Sequence, residues 1–354
     1  PPFYKYIYLV EYGVLFVIGR LGGSYSSVAD FASKNSLDPT LLYLLGRATT
    51  AIFGTMTVAL AYWLGKTAYN QRVGLISATM LGGAFIHVRD SHFAVNDIAA
   101  TFFVTLALAA AVRIFQSEER KWYVLAGAAL GLAFATKYSA IFAVIPILVA
   151  HLYSPQVRWQ PSPDLGFRRL LQASGVAALA AIVASPYFLL TPAKVFRDAY
   201  EALYLAGRSG FEGWSIDPAG GYVFYLKTLI WGLGWPLSAM ALLGLLVAVM
   251  RHWPRDVIIF SLPLAIFLVA GQQEMYFARF IIPAVPALLI LAAALLEKTV
   301  SSVVTKTRDS GFILAALTLA LVMQPVLSSI RLDLLLNQTD TRTLAKNWIE
   351  TNLP

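Results

Sequence analysis

Phe85-Ile86-His87-Val88-Arg89-Asp90-Ser91-His92-Phe93-Ala94-Val95-Asn96-Asp97 is a polar island between two long apolar runs, and its reading decides the fold. Both flanking runs read as membrane spans, so the island belongs at one bilayer surface. Two carboxylates, two histidines, an arginine and an asparagine are costly beside hydrocarbon unless they contact water, a partner or a substrate. The island therefore reads as the lining of an active site. The plainer reading is a hydrated connector in which Asn96 and Asp97 cap the helix that follows.

The 354 residues are 58% hydrophobic and only 13% charged, with a mean hydropathy of +0.67. Soluble domains do not reach such values. The fold class is all-α, a polytopic transmembrane helix bundle. A net charge of +8 would favour nucleic acid in a soluble chain. Here the cations gather in short loops beside apolar helices, a pattern that sets orientation and contacts membrane lipids, so no nucleic-acid partner is expected. The absence of cysteine removes disulfides, thiolate catalysis and Cys-ligated metal. No secretory signal opens the chain and residue 1 is Pro, so the true beginning is expected to be missing.

About ten spans follow from apolar runs near the twenty residues a bilayer needs. They are placed at 41–64, 73–86, 98–115, 122–135, 139–153, 170–190, 222–250, 257–270, 280–296 and 311–327. The run 222–250 exceeds one span and is expected to break at Gly232, Gly234 and Pro236. Residues 3–21 carry Lys5, Glu11 and Arg20 among aromatics, which predicts an external helix lying in the membrane plane. Residues 1–330 are taken as the membrane core and 331–354 as the start of an external C-terminal domain that is cut off. No internal repeat is evident.

If the spans alternate, Lys66, Arg72, Arg113, Lys121, Arg251 and Lys298 share one side, which basic residues mark as cytoplasmic in a plasma (inner) membrane. The chemically mixed sequence then lies on the opposite, extracytoplasmic side. That side collects the island, Lys137, the 191–222 connection and a second polar island, Gly271–Arg279. It suits a substrate whose phosphate sits among headgroups while its tail stays in the bilayer. Lys137 and Arg279 are the natural phosphate contacts, one a point charge and the other a planar fork. Against this, Lys137 snorkelling to the interface and Arg279 pairing with Glu274 are the plainer readings. Tyr138 and Tyr276 stack on sugar faces or form an aromatic belt. Arg89 and Glu274 complete the substrate-binding candidates. Asp90, His92 and Asp97 have no specific metal spacing, so neither a metal nor another cofactor is expected. His87 reads as structural. The sequence has no Gly-rich phosphate loop, no paired His-Glu zinc motif and no Ser-His-Asp signal.

Several motifs, in this order, carry a family resemblance. They are Pro1-Pro2-Phe3-Tyr4-Lys5-Tyr6, Arg47 opening a span, His87 to Asp97, Thr136-Lys137-Tyr138, Ser185-Pro186-Tyr187 and Tyr276-Phe277-Ala278-Arg279-Phe280-Ile281-Ile282-Pro283. The set resembles the polyprenyl-phosphate-sugar-dependent glycosyltransferases of the protein O-mannosyltransferase and aminoarabinose transferase superfamily, with the C-type membrane fold. Asp340 to Ile349 is similar to the family's approach to its external C-terminal domain. The resemblance implies a sugar carried on a polyprenyl phosphate and moved, with inversion, onto a hydroxyl of a protein, lipid or glycan. It also implies a general-base acid in the first external loop, which normally precedes the Pro-Pro segment and is expected upstream of Pro1. Asp97, with Asp90 and His92, would orient the acceptor or the sugar, and Lys137 and Arg279 would neutralise the departing lipid phosphate. A transporter or lipid flippase is the rival class, and a polysaccharide polymerase or ligase a third.

Overall fold

Every regular element among the described residues of the computed structural model is helical; these are 3–117, 119–154, 163–202, 220–273, 276–304 and 307–352. The chain opens with α1 (Phe3–Leu21), α2 (Val28–Leu37), α3 (Thr40–Ala68), α4 (Gln71–Gly83), α5 (Phe85–Ser91), α6 (Asn96–Ser117) and α7 (Arg120–Thr136). A 3-10 turn, Tyr138–Ala143, leads into α8 (Val144–Tyr153), followed by α9 (Pro163–Ala184), α10 (Tyr187–Leu190) and α11 (Pro192–Tyr200). Next come α12 (Gly220–Leu233), α13 (Trp235–Arg251) and α14 (Pro254–Ala270). A second 3-10 turn, Ala278–Ala284, leads into α15 (Val285–Val303), then α16 (Thr307–Leu336) and α17 (Thr341–Asn352).

Five described stretches are long and apolar enough to cross a membrane: Thr40–Ala68, Asn96–Ser117, Gly166–Ala184, Ala278–Val303 and Asp309–Asn352. The second and fourth are the most enclosed, each with 78% of its apolar window buried, so α6 and the Ala278–Val303 stretch form the centre of the bundle. The other expected spans are shorter helices or helices with breaks. The run 73–86 is not continuous: α4 stops at Gly83 because Ala84 is extended (ψ 113°), and α5 starts in a new direction. The run 222–250 breaks where expected. Gly234 adopts φ +75°, which a side chain rarely tolerates, and separates α12 from α13.

α1 packs through its first half. Phe3 meets Phe103, and Tyr4 meets Phe53 and hydrogen-bonds Thr50. Leu9, Val10, Val14, Val17, Ile18 and Leu21 are exposed. With its three charges, this helix is not among the five able to span.

Small residues set the closest approach. A Cβ on Gly127 would lie 2.3 Å from the Ala173 carbonyl oxygen, and one on Gly131 would lie 2.2 Å from that of Ala177. Both pairs are four residues apart, which stacks small residues on consecutive turns of α7 and α9 so the backbones can touch.

The end of the bundle that carries the basic loops is pinned by Asp256, in the first turn of α14 and fully buried. It accepts a hydrogen bond from the Tyr69 hydroxyl and one from Arg251 Nη2 at 3.3 Å. α6 separates this end from Asp97, and its 22 residues correspond to about 33 Å.

Gly131→Val is expected to force α9 off α7 and lower stability by about 1–3 kcal/mol. Thermal unfolding in detergent reads this directly, and an unchanged midpoint would show that the close contact contributes nothing.

Candidate functional site

Asp97 lies in the first turn of α6, where the unpaired backbone N–H groups favour negative charge. Its residue is only 3% exposed. α7 ends one residue before Lys137, whose extended backbone (φ −154°, ψ 126°) turns the ammonium back across α6. There it donates to Asp97 Oδ1. Arg279 is the second residue of the 3-10 turn that follows extended Phe277, and its Nε lies 3.8 Å from Asp97 Oδ2. One carboxylate therefore holds two cations that are 40 and 182 positions away in sequence. The Asn96 amide also crosses this junction, donating to the Thr136 carbonyl at 2.8 Å. It ties α6 to α7.

Aromatic faces back each cation. Lys137 Nζ is 4.5 Å from the Phe280 ring centre, and the Arg279 guanidinium is 4.7 Å from that of Phe277. Arg89 lies 4.9 Å over Trp231 and grips Asp90 Oδ1 through Nε (3.0 Å) and Nη2 (2.6 Å). Asp90 Oδ2 is buried with no hydrogen bond among the described residues. Burial raises the Asp90 pKa and nearby Asp97 adds to this, while Arg89 and Arg279 oppose it. Three cations thus face two carboxylates, leaving one net positive charge for an anion.

A cavity of about 220 Å³ opens beside Lys137. Lys137, Tyr138, Ser139 and Gln273 give it a polar end, and Val104, Phe142, Leu262, Ile266 and Val269 supply apolar wall. Its rim includes Ala202, just beyond α11. Tyr138 is mostly buried; burial and the charge of Asp198 on α11 push its hydroxyl pKa up.

The remaining sequence candidates take other partners. His92 Nδ1 donates to the Val88 carbonyl at 2.8 Å, and its Nε2 faces Asp333 of α16 at 3.2 Å. Arg47 Nε donates to the His92 carbonyl at 2.7 Å. Tyr276 stacks on Phe224, ring centres 5.3 Å apart. His87 is buried, with Nε2 donating to the Gly54 carbonyl at 3.2 Å, and burial pushes its pKa down to about 4. That matches the structural reading. Glu274 lies outside the described residues. Among those described, no three His, Asp or Glu side chains gather as metal ligands. Sequence reading missed Trp231 and Phe280 as cation supports; a lone aromatic in an apolar run carries no such signal.

The sequence model of the family described as dolichyl-phosphate-mannose-protein mannosyltransferase matches residues 7–183. The undecaprenyl phosphate-alpha-4-amino-4-deoxy-L-arabinose arabinosyl transferase 1 of Pseudomonas fluorescens is 33% identical over 144 residues, covering 39% of this chain and 25% of that protein. ArnT from Cupriavidus metallidurans, solved bound to undecaprenyl phosphate, aligns with a TM-score of 0.57 at 20% identity, over 84% of this chain and 50% of that one. The archaeal oligosaccharyltransferase AglB from Archaeoglobus fulgidus, solved with an inhibitory peptide and a dolichol-phosphate, aligns at 0.54 and 14% identity, over 100% and 50%. The two structural likenesses are likenesses of fold. The chain spans half the length of those solved proteins and a quarter of the curated relative.

A raised carboxyl pKa means the folded state prefers the neutral form. Its stabilising contribution is full below the ordinary carboxylate pKa of about 4 and is lost as pH rises through the raised value. Asp90→Asn removes this titration. The expected result is a thermal midpoint that falls less than wild type's as pH rises from about 4 to 7; parallel profiles would refute the burial argument.

Proposed function

The chain belongs to the dolichyl-phosphate-mannose-protein mannosyltransferase family, and from that premise we propose that it transfers a sugar from a polyprenyl-phosphate carrier to an acceptor hydroxyl at the extracytoplasmic membrane face, with inversion. It has the helical membrane fold of glycosyltransferases that use lipid-phosphate-linked sugars. The observation that carries the proposal is the Asp97–Lys137–Arg279 constellation, whose Lys137 lines an apolar cavity.

In this reading the isoprenoid tail follows the apolar wall and the phosphate rests against Lys137 and Arg279. The acceptor oxygen attacks the anomeric carbon from the side opposite the phosphate. The bond from that carbon to the phosphate oxygen breaks, and the lipid phosphate leaves with the bonding pair. The hydroxyl proton passes to a carboxylate base, the role the resemblance gives to an acid of the first external loop. Negative charge grows on the phosphate as the bond breaks, so fixed cations stabilise the transition state more than the ground state. Asp97 positions both cations without cancelling them, because the cluster retains net positive charge. Asp90 orients the sugar or the acceptor, a role the outward-facing His92 does not share, and Tyr138 and Tyr276 offer ring faces to them. The acceptor is a protein, lipid or glycan hydroxyl. The reaction relies on charge placement and no cofactor.

Sidedness rests on the basic loops at the Asp256 end, which mark that end as cytoplasmic. A transporter would concentrate charge at mid-depth between related halves. Here it concentrates at a helix-end junction.

The test uses membranes containing the full-length protein and radiolabelled polyprenyl-phosphate sugars. Arg279→Gln is expected to lower transfer by about a hundredfold, the usual effect of removing one such electrostatic contact. The Arg279 side chain is 42% exposed, so its thermal midpoint should stay near wild type. Asp97→Asn should lose activity at least as severely. Wild-type transfer by both variants would remove the assignment, and wild-type membranes inert toward every such donor would remove the reaction.

A further inference from the structure

The Asp256 end of the bundle holds a second group of fixed cations that the proposed reaction does not use. Trp253, between α13 and α14, is 45% exposed. Arg251 and Arg255 place their guanidinium groups 4.5 and 4.8 Å from its ring centre, and Lys298 Nζ of α15 lies at 5.9 Å. His252 adopts φ +51°, and this left-handed step turns the chain between Arg251 and Trp253.

Asp256 lies beneath the cations with no exposed surface. It holds Arg251 through the hydrogen bond described above and Arg255 Nε at 4.0 Å. Arg255 Nη1 also donates to the Ala68 carbonyl at 3.4 Å, at the end of α3. Three cations face one carboxylate here, an excess of two positive charges. Each guanidinium makes one hydrogen bond among the described residues, Arg251 through Nη2 and Arg255 through Nη1, and its remaining terminal N–H groups have no such partner there, while Nε of both is enclosed. The arginines are stacked and ion-paired in place, so little side-chain freedom remains to be lost on binding.

Depth argues for the same ligand. Lys298 follows Arg279 by 19 positions, which in helix is roughly 28 Å. That is close to the hydrocarbon thickness of a bilayer, so the cluster sits at the opposite headgroup layer. Leu243, Leu246 and Met250 of α13 are exposed on the way to it and offer an apolar track for acyl chains.

We propose that Arg251, Trp253, Arg255 and Lys298 form a headgroup site for an anionic glycerophospholipid of the leaflet opposite the Asp97 cluster. The phosphate accepts hydrogen bonds from the guanidinium groups and pairs with Lys298. The indole of Trp253 lies at the ester level, and the acyl chains run along α13. The bound lipid bridges α13, α14 and α15.

The test reconstitutes the full-length protein in phosphatidylcholine nanodiscs containing spin-labelled phosphatidylglycerol or spin-labelled phosphatidylcholine. Electron paramagnetic resonance then gives the motionally restricted fraction of each. Wild type should hold phosphatidylglycerol selectively. Lys298→Gln removes an exposed side chain and should lower the relative association constant about fivefold, from roughly 1 kcal/mol per cation near an anionic surface. Lys121 is at the same end but already paired with Glu119 at 2.6 Å, so Lys121→Gln should change it less than about twofold. Equal losses in the two variants would show a diffuse surface potential and overturn the site, as would unchanged selectivity in Lys298→Gln. Neither outcome bears on the sugar-transfer reading, which rests on the other end.

Discussion

One buried carboxylate sets the geometry of the functional end. Asp97 is almost fully enclosed at the start of the central helix, a place that no charge occupies without compensation. The helix N-terminus supplies part of that compensation, and Lys137 and Arg279 supply the rest. Each partner is delivered by a helix break, the first between α7 and the turn beginning at Tyr138 and the second before the turn beginning at Ala278. The breaks cannot shift by a residue without leaving Asp97 buried and unpaired, so helix ends and site chemistry constrain one another.

The two ends of the bundle use the same device for different purposes. Asp256 and Asp97 both sit in the first turn of a helix, both are buried, and both hold cations that rest on aromatic rings. At the Asp256 end a void of about 10 Å³ adjoins the buried pair, too small to enclose a ligand. At the Asp97 end Lys137 borders a cavity of about 220 Å³ with an apolar wall. A cavity at the second end and an outward-facing cluster at the first follow from how much room the neighbouring helices leave.

Composition and the period of apolar runs carried the all-helical membrane architecture, because hydrocarbon admits few backbone alternatives. The break around Gly234 was legible, since glycines and a proline interrupted a run too long for one helix. The convergence of Asp97, Lys137 and Arg279 was legible as a common side of the membrane, though not as a direct ion-pair network. Contacts between distant segments leave no mark in local sequence. Asn96 shows the limit: its side chain favours a helix cap, yet it reaches the Thr136 carbonyl because α7 ends beside it. The close seam of α7 and α9 was present in the sequence as Gly127 and Gly131 opposite Ala173 and Ala177, spacing that hydropathy alone does not register. His92 sat beside the acids in sequence but faces α16, since α5 turns it outward.

Several of the helices that end beside the Asp97 cluster are too short for a full span. α4 has 13 residues and α7 and α14 have 17 each, so they rise only about 20–26 Å, short of the roughly 30 Å hydrocarbon layer. All three stop at the Asp97 end, at Ala84, Lys137 and Gly271. Short helix and 3-10 turns follow these ends, and Asp90, Lys137 and Arg279 lie on or beside them. Irregular backbone within a membrane is tolerated only where protein or a water-filled space surrounds it. On the proposed reading, an amphiphile keeps its tail against Phe142, Leu262 and Ile266 while its phosphate meets Lys137. Helices long enough to reach the surface would bring the same cations into bulk water, where their hold on a phosphate is weak. On the proposed reading, the short helices are therefore what keeps these cations out of bulk water and beside a departing lipid phosphate.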